Sequence, residues 1–180
     1  MANCRKLYSI DIDTCTGNKG GIYTEVLFAS REALNPQREV ISDEETGMVT
    51  FTVPQEAFYV RFRKQSSSLT SEGTFDEANG VYFFTNNLNL VIARQEVAKR
   101  NALQALALAG DLAFVVKDGN NQIQFIGLDD TVSTTAFTAT TGTAATDGNN
   151  YNVTFTDTSN ELPYFVKDAD WDALKSVAEG

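Results

Sequence analysis

VYFFTNNLNLVI (residues 81–92), ARQEVAKRNALQALALA (93–109) and GDLAFVV (110–116) are consecutive segments whose reading decides the fold. The first is aromatic and β-branched, the composition that pleated, half-buried strand surfaces favour. The second holds no Gly or Pro between residues 94 and 109 and is rich in strong helix formers. The third is a short apolar run of the kind that forms a buried strand. The stretch therefore predicts a long strand, a central helix over about 94–109 and a buried strand. Gly110 is placed to end the helix as a left-handed C-cap. Arg94, Gln95, Glu96, Lys99 and Arg100 make the first half of the helix wet. Residues 102–109 are apolar except at Gln104, so this end is expected to be covered on every side, with the flanking strands as its cover. Nothing in the stretch carries chemistry.

Working outward, residues 1–20 read as an irregular arm with a short strand at 7–12 and a glycine-rich connection at Gly17, Gly20 and Gly21. Residues 22–29 predict a strand. Ser30 then caps one helical turn that stops at Asn35-Pro36. Two short strands, 39–42 and 48–53, flank an acidic turn, Asp43 to Gly47, as a hairpin. In residues 57–64, Phe58, Val60 and Phe62 alternate with Tyr59, Arg61 and Arg63, giving one apolar and one basic face. Residues 65–80 are polar and predict a long hairpin loop. Such a loop in a compact domain tends to be functional or disordered, and here it is expected to be mobile until a neighbour orders it.

Beyond the central stretch, Asp118-Gly119 predicts a hairpin between 111–117 and 122–127. A Thr-rich hairpin follows over 132–140 and 151–156. Residues 162–166, interrupted by Pro163, read as a short edge strand. A C-terminal helix spans 168–178, capped by Asp168 or Asp170, with Trp171, Leu174 and Val177 on one face. The expected architecture is one β-rich α+β domain over residues 1–180. It would be an antiparallel β-sandwich or open barrel with one central helix and a C-terminal helix.

The 180 residues suffice for a real core. No apolar run approaches the roughly 20 residues needed to span a bilayer, and the N-terminus lacks the apolar centre of a secretory signal. Synthesis and folding in a cytoplasm, with no membrane partner, are the expectation. The net charge is −10, and residues 101–180 carry only Lys117, Lys167 and Lys175 as cations. A chain so acidic does not grip nucleic acid by neutralising phosphates. It could face DNA only to let it pass.

The reactive inventory is poor. Without histidine there is no His-based acid–base chemistry and no His-dependent triad. No Gly-rich phosphate loop ending in Gly-Lys-Ser or Gly-Lys-Thr occurs. Asp11 with Asp13, and Asp129 with Asp130, are carboxylate pairs, read as solvated acids because sequence spacing alone does not set two carboxylates across a bond. Asp11 and Asp13 lack the further oxygen ligands of a calcium loop. Asn152-Val153-Thr154 matches a glycosylation sequon, which matters only in a secreted chain. Cys4 and Cys15 read as incidental thiols. No cofactor, metal or catalytic residue is expected, and the chain is read as a building block, not an enzyme.

The segments GDLAFVVKDGNN (110–121), FIGLD (125–129), GTAATDGNNYNVTFT (142–156) and ELPYFV (161–166), with the Cys-containing arm and Gly20-Gly21-Ile22, resemble virion proteins of tailed bacteriophages and prophages of Bacteroidetes. The order of strands around a mid-chain helix looks most like the tail-tube, or major tail protein, family. That resemblance implies a homo-oligomer of hexameric rings stacked into a conduit for DNA ejection, located in the virion tail beside other phage proteins. It implies inter-ring contacts through the long loop and the termini, and Ser66, Ser67, Ser68, Thr70, Ser71, Glu72 and Thr74 of that loop are candidate inter-subunit residues. It also implies an acidic inner wall past which DNA slides without sticking, with Asp129 and Asp130 as candidate lumen residues. Arg61, Arg63 and the basic part of the helix would then face acidic neighbours. The alternative is a capsid-associated decoration or head-completion protein.

Overall fold

The computed structural model describes residues 9–10, 17–64 and 66–180. Cys4, Cys15, Asp11, Asp13 and most of the strand expected at 7–12 lie outside them. In chain order the elements are β1 (Ile22–Ala29), α1 (Arg31–Leu34), β2 (Gln37–Ile41), β3 (Glu44–Thr50), β4 (Phe58–Arg61), β5 (Ser68–Asp76) and β6 (Val81–Ala93). There follow α2 (Val97–Leu108), β7 (Ala113–Asp118), β8 (Ile123–Ile126), β9 (Ser133–Thr140), β10 (Asn150–Ser159), β11 (Tyr164–Phe165) and α3 (Asp168–Glu179). The fold is β-rich, with two sheets and helices packed on them.

The large sheet runs β2-β3-β11-β8-β7-β1-β4 and the small sheet β5-β6-β10-β9. Every pairing is antiparallel except β11 with β3. One face of the large sheet meets the small sheet. Val26, Phe114 and Val116 pack there against Leu88, Leu90, Ile92, Val153 and Phe155, and Leu103 and Leu106 of α2 close the layer. The rings of Phe114 and Phe155 stand 4.7 Å apart across the two sheets. The other face carries Leu27, Val115 and Phe125 under Trp171 and Leu174 of α3. β7 is thus covered on both faces, which explains its unbroken apolar run.

Several elements differ from expectation. Most of the expected loop is strand: β5 pairs with β6 from Ser68↔Asn89 to Asp76↔Val81, and residues 77–80 make the turn. The acidic hairpin is also tighter than expected. Ser42 and Asp43 both have positive φ, as a two-residue type I′ turn requires, and the chain is back in β3 by Glu44. β11 is not an edge. It joins β3 to β8, and Pro163 falls just before its paired residues.

The helix ends differ as well. α2 ends at Ala109 in extended backbone, and Gly110 is not left-handed. Its apolar end is not covered all round: Leu103 and Leu106 are buried, whereas Leu108 is 78 % exposed. Lys167 precedes α3 at the N-cap position without a side-chain cap, and Asp168 and Asp170 lie in the first turn. There they complement the helix dipole without capping it.

Candidate assembly interface

Among the described residues, the small sheet has two open edges, β5 and β9. Along β5, Leu69, Ser71, Gly73 and Phe75 point toward the large sheet, while Ser68, Thr70, Glu72 and Thr74 point away. Ser71 is tied inward: its hydroxyl donates to Asn86 Oδ1 at 2.7 Å, and Asn86 Nδ2 donates to Asp157. Ser67 is buried and its Oγ accepts from the Val91 amide at 3.0 Å, while Ser66 donates to the Arg63 carbonyl. Of the candidate inter-subunit residues, four therefore line one outward face of an edge strand. Ser66, Ser67 and Ser71 are occupied in holding that strand.

The outward face continues the same chemistry across the sheet. β6 contributes Thr85, Asn87 and Asn89, β10 contributes Asn152, Thr154 and Thr156, and β9 contributes Ser133 and Thr138. Thr135 Oγ1 and Thr156 Oγ1 are 2.8 Å apart, and Thr156 Oγ1 donates to Asn87 Oδ1 at 2.8 Å, a hydroxyl–amide ladder over three strands. Across β5, β6, β10 and β9 the face carries no lysine or arginine, and its acids are Glu72 and, at the tip, Asp76.

The edges are staggered. β5 lies against residues 81–89 of β6, whereas β9 reaches, through β10, only the level of residues 87–93. Such shear accompanies strands that tilt in a sheet able to close into a barrel. With four antiparallel strands, β9 of one copy and β5 of the next would also run antiparallel. An unpaired edge presents a row of backbone donors and acceptors ready to take another strand.

Comparison with protein-family models, curated proteins and solved structures finds no match.

The expected acidic residues fare differently. Asp129 is not a free carboxylate: Arg38 Nη2 lies 2.5 Å away and Ser159 Oγ donates to it at 2.7 Å. Arg31 donates to the Gly127 and Leu128 carbonyls, which pins the same turn. Asp130 is exposed and accepts from the Thr131 amide. Arg61 meets acids of its own chain, Glu25 at 3.1 Å and Glu179 at 2.5 Å. Burial pushes the Glu25 carboxylate up, but hydrogen bonds and charge from Lys175 and Arg61 outweigh it and hold it below the ordinary value. Sequence reasoning missed Glu25, whose partners come from β4 and α3. It also missed Asp157, which burial, with the charges of Asp129 and Asp130, pushes up against opposing hydrogen bonds from Gly127 and Asn86. Among the described residues, no group of three or more His, Cys, Asp or Glu is placed to hold a metal ion. Among them, too, no helix is long and apolar enough to cross a membrane.

Proposed function

We propose that this chain is a self-assembling virion building block, a bacteriophage tail-tube subunit whose copies form stacked hexameric rings around a DNA conduit. The observation that carries this reading is the sheared, all-antiparallel small sheet, whose two edges are unpaired among the described residues. Edge-to-edge addition of β5 to a neighbour's β9 extends that sheet around an axis. Six copies would contribute about 24 strands, more than the 16–18 that already leave an aqueous channel. The outward Thr, Ser and Asn face would then line the channel. Its acids are few, so the wall would be weakly negative and rich in neutral hydrogen-bonding groups. Asp129, held by Arg38, contributes little to it.

Electron microscopy of the purified protein tests the proposal. Tubes or sixfold rings support it, and monomers or trimers favour the capsid-associated alternative. The paired change Thr70→Lys with Thr138→Lys places cations on the two edges, the substitution by which natural sheets discourage edge pairing. Both positions are exposed, so the monomer should fold and fail to assemble. Normal rings from that variant would remove edge pairing as the mode of assembly.

A further inference from the structure

At one corner of the small sheet, Phe75, Tyr82 and Phe84 form a mutual ring cluster, with centroids 5.3 to 5.8 Å apart. Phe75 is 64 % and Tyr82 55 % exposed. All three belong to the inward row, yet Phe75 and Tyr82 are exposed and Phe84 is only half-buried. The far end of the Phe75 ring lies over Gly73, where an added Cβ would sit 2.5 Å from it. The turn beside the knob is acidic, with Asp76 and Glu77. Asn79 donates to both Asp76 oxygens and fixes the turn.

At the diagonally opposite corner, a groove of about 490 Å³ opens between α2 and β9. This is the size of pocket that elsewhere receives a small ligand. Gln104, Ala107, Leu108, Phe137 and Tyr151 line it, with Arg100. Leu108 and Phe137 are apolar and exposed. Among the described residues, the Arg100 guanidinium makes no ion pair and donates only to Asn101.

We propose that the Phe75 knob of one copy seats in the α2–β9 groove of the next and thereby fixes the register of the seam between subunits. The inference rests on the self-assembly reading and adds the contact that gives it a unique geometry. A chain cannot fill its own groove, because Phe75 lies level with Tyr82 of β6 and Phe137, through β10, level with Leu90, roughly 26 Å further along at strand rise and at the opposite edge of the sheet. A knob and a groove on different patches make a head-to-tail contact, the kind that closes rings or builds filaments. The stagger brings the corners together: when β5 of one copy slides to the level of its neighbour's β9, Gly73 and Phe75 arrive beside Phe137 on the inward side. The charges agree, with Asp76 and Glu77 on the knob and Arg100 on the groove. A lock is needed because β5 and β9 are dominated by Thr and Ser, and strands without a strong apolar pattern specify register weakly.

The test uses two variants of the whole chain, Phe75→Ser and Ala107→Trp, the second filling the groove. Both sites lie outside the core, so circular dichroism should show wild-type folding. Each variant alone should self-associate roughly 30-fold more weakly in sedimentation, the loss expected for an interface aromatic anchor. An equimolar mixture retains one intact knob and one intact groove, so it should form 1:1 heterodimers and stop there. Wild-type assembly by both variants, or a mixture that stays monomeric, overturns the knob-and-groove contact while leaving edge pairing standing. A wild-type chain that remains monomeric at all concentrations removes both proposals.

Discussion

Glu25 and Asp157 set opposite slopes on the acid side of stability. Glu25 in β1 is buried and bonded to Lys175 of α3 and Arg61 of β4, so it clamps the C-terminal helix onto the large sheet. Removing one partner of a fully buried pair costs about 3–5 kcal/mol. Lys175 and Arg61 can turn to water, so Glu25→Ala should cost about 1–3 kcal/mol in urea unfolding. Its folded pKa lies below 4.5. The unfolded state therefore binds its proton more tightly, and the stabilisation is full above that value and lost as pH falls through the folded pKa. Glu25→Gln should abolish this limb.

Asp157 runs the other way. Its folded pKa lies above 3.8, so the native state holds the proton and stability falls as pH rises from 3.8 through the folded value. Its Oδ1 is buried without a hydrogen-bond partner among the described residues. Asp157→Asn should match the wild-type melting temperature near the ordinary carboxyl pKa and exceed it at neutral pH. A variant less stable at pH 7 than at pH 4, relative to wild type, would contradict this.

At the scale of elements, the central stretch was legible because periodicity and composition agreed: aromatic strand, Gly- and Pro-free helix, apolar strand. β1 was legible for the same reason, α1 through its Ser30 cap and Asn35-Pro36 stop, and the hairpin through Asp118-Gly119. β5 was not. Its inward row is Leu69, Ser71, Gly73 and Phe75, with too little apolar alternation to signal a strand. What makes it a strand is the backbone of β6 beside it, together with the Ser71–Asn86 bond, and both are tertiary facts. The aromatic knob and the α2–β9 groove escaped notice because exposure of Phe75 and Leu108 depends on where two sheets and a helix end. Gly73 offers a test at this scale. Gly73→Ala pushes its Cβ against the far end of the Phe75 ring, which can swing aside. Unfolding free energy should change by no more than about 1 kcal/mol, since Ala suits a strand no worse than Gly. Self-association should nevertheless weaken toward the level of Phe75→Ser, as ultracentrifugation would reveal.

Across the whole molecule, charge and shape are sorted by layer. The small sheet presents neutral polar groups outward, the large sheet lies between, and α3 covers the far side with the Glu25, Arg61, Lys175 and Glu179 network. Several basic residues that could have held phosphate are engaged at home: Arg38 with Asp129, Arg61 with Glu25 and Glu179, and Lys167 with Glu39. The protein should therefore give no retardation of double-stranded DNA even at low salt. Binding that weakens steeply as salt is added would mean phosphate neutralisation and would count against the conduit.

The hydroxyl–amide ladder through Thr135, Thr156 and Asn87 has a consequence for friction. A wall of fixed charges gathers counterions, and a polyanion moving past it must repeatedly drag or displace them. A wall of hydroxyls and amides gathers only water, held by bonds of about the strength water makes with itself. In the proposed conduit, a duplex passing along this surface would meet a lubricating film in place of a row of electrostatic catches.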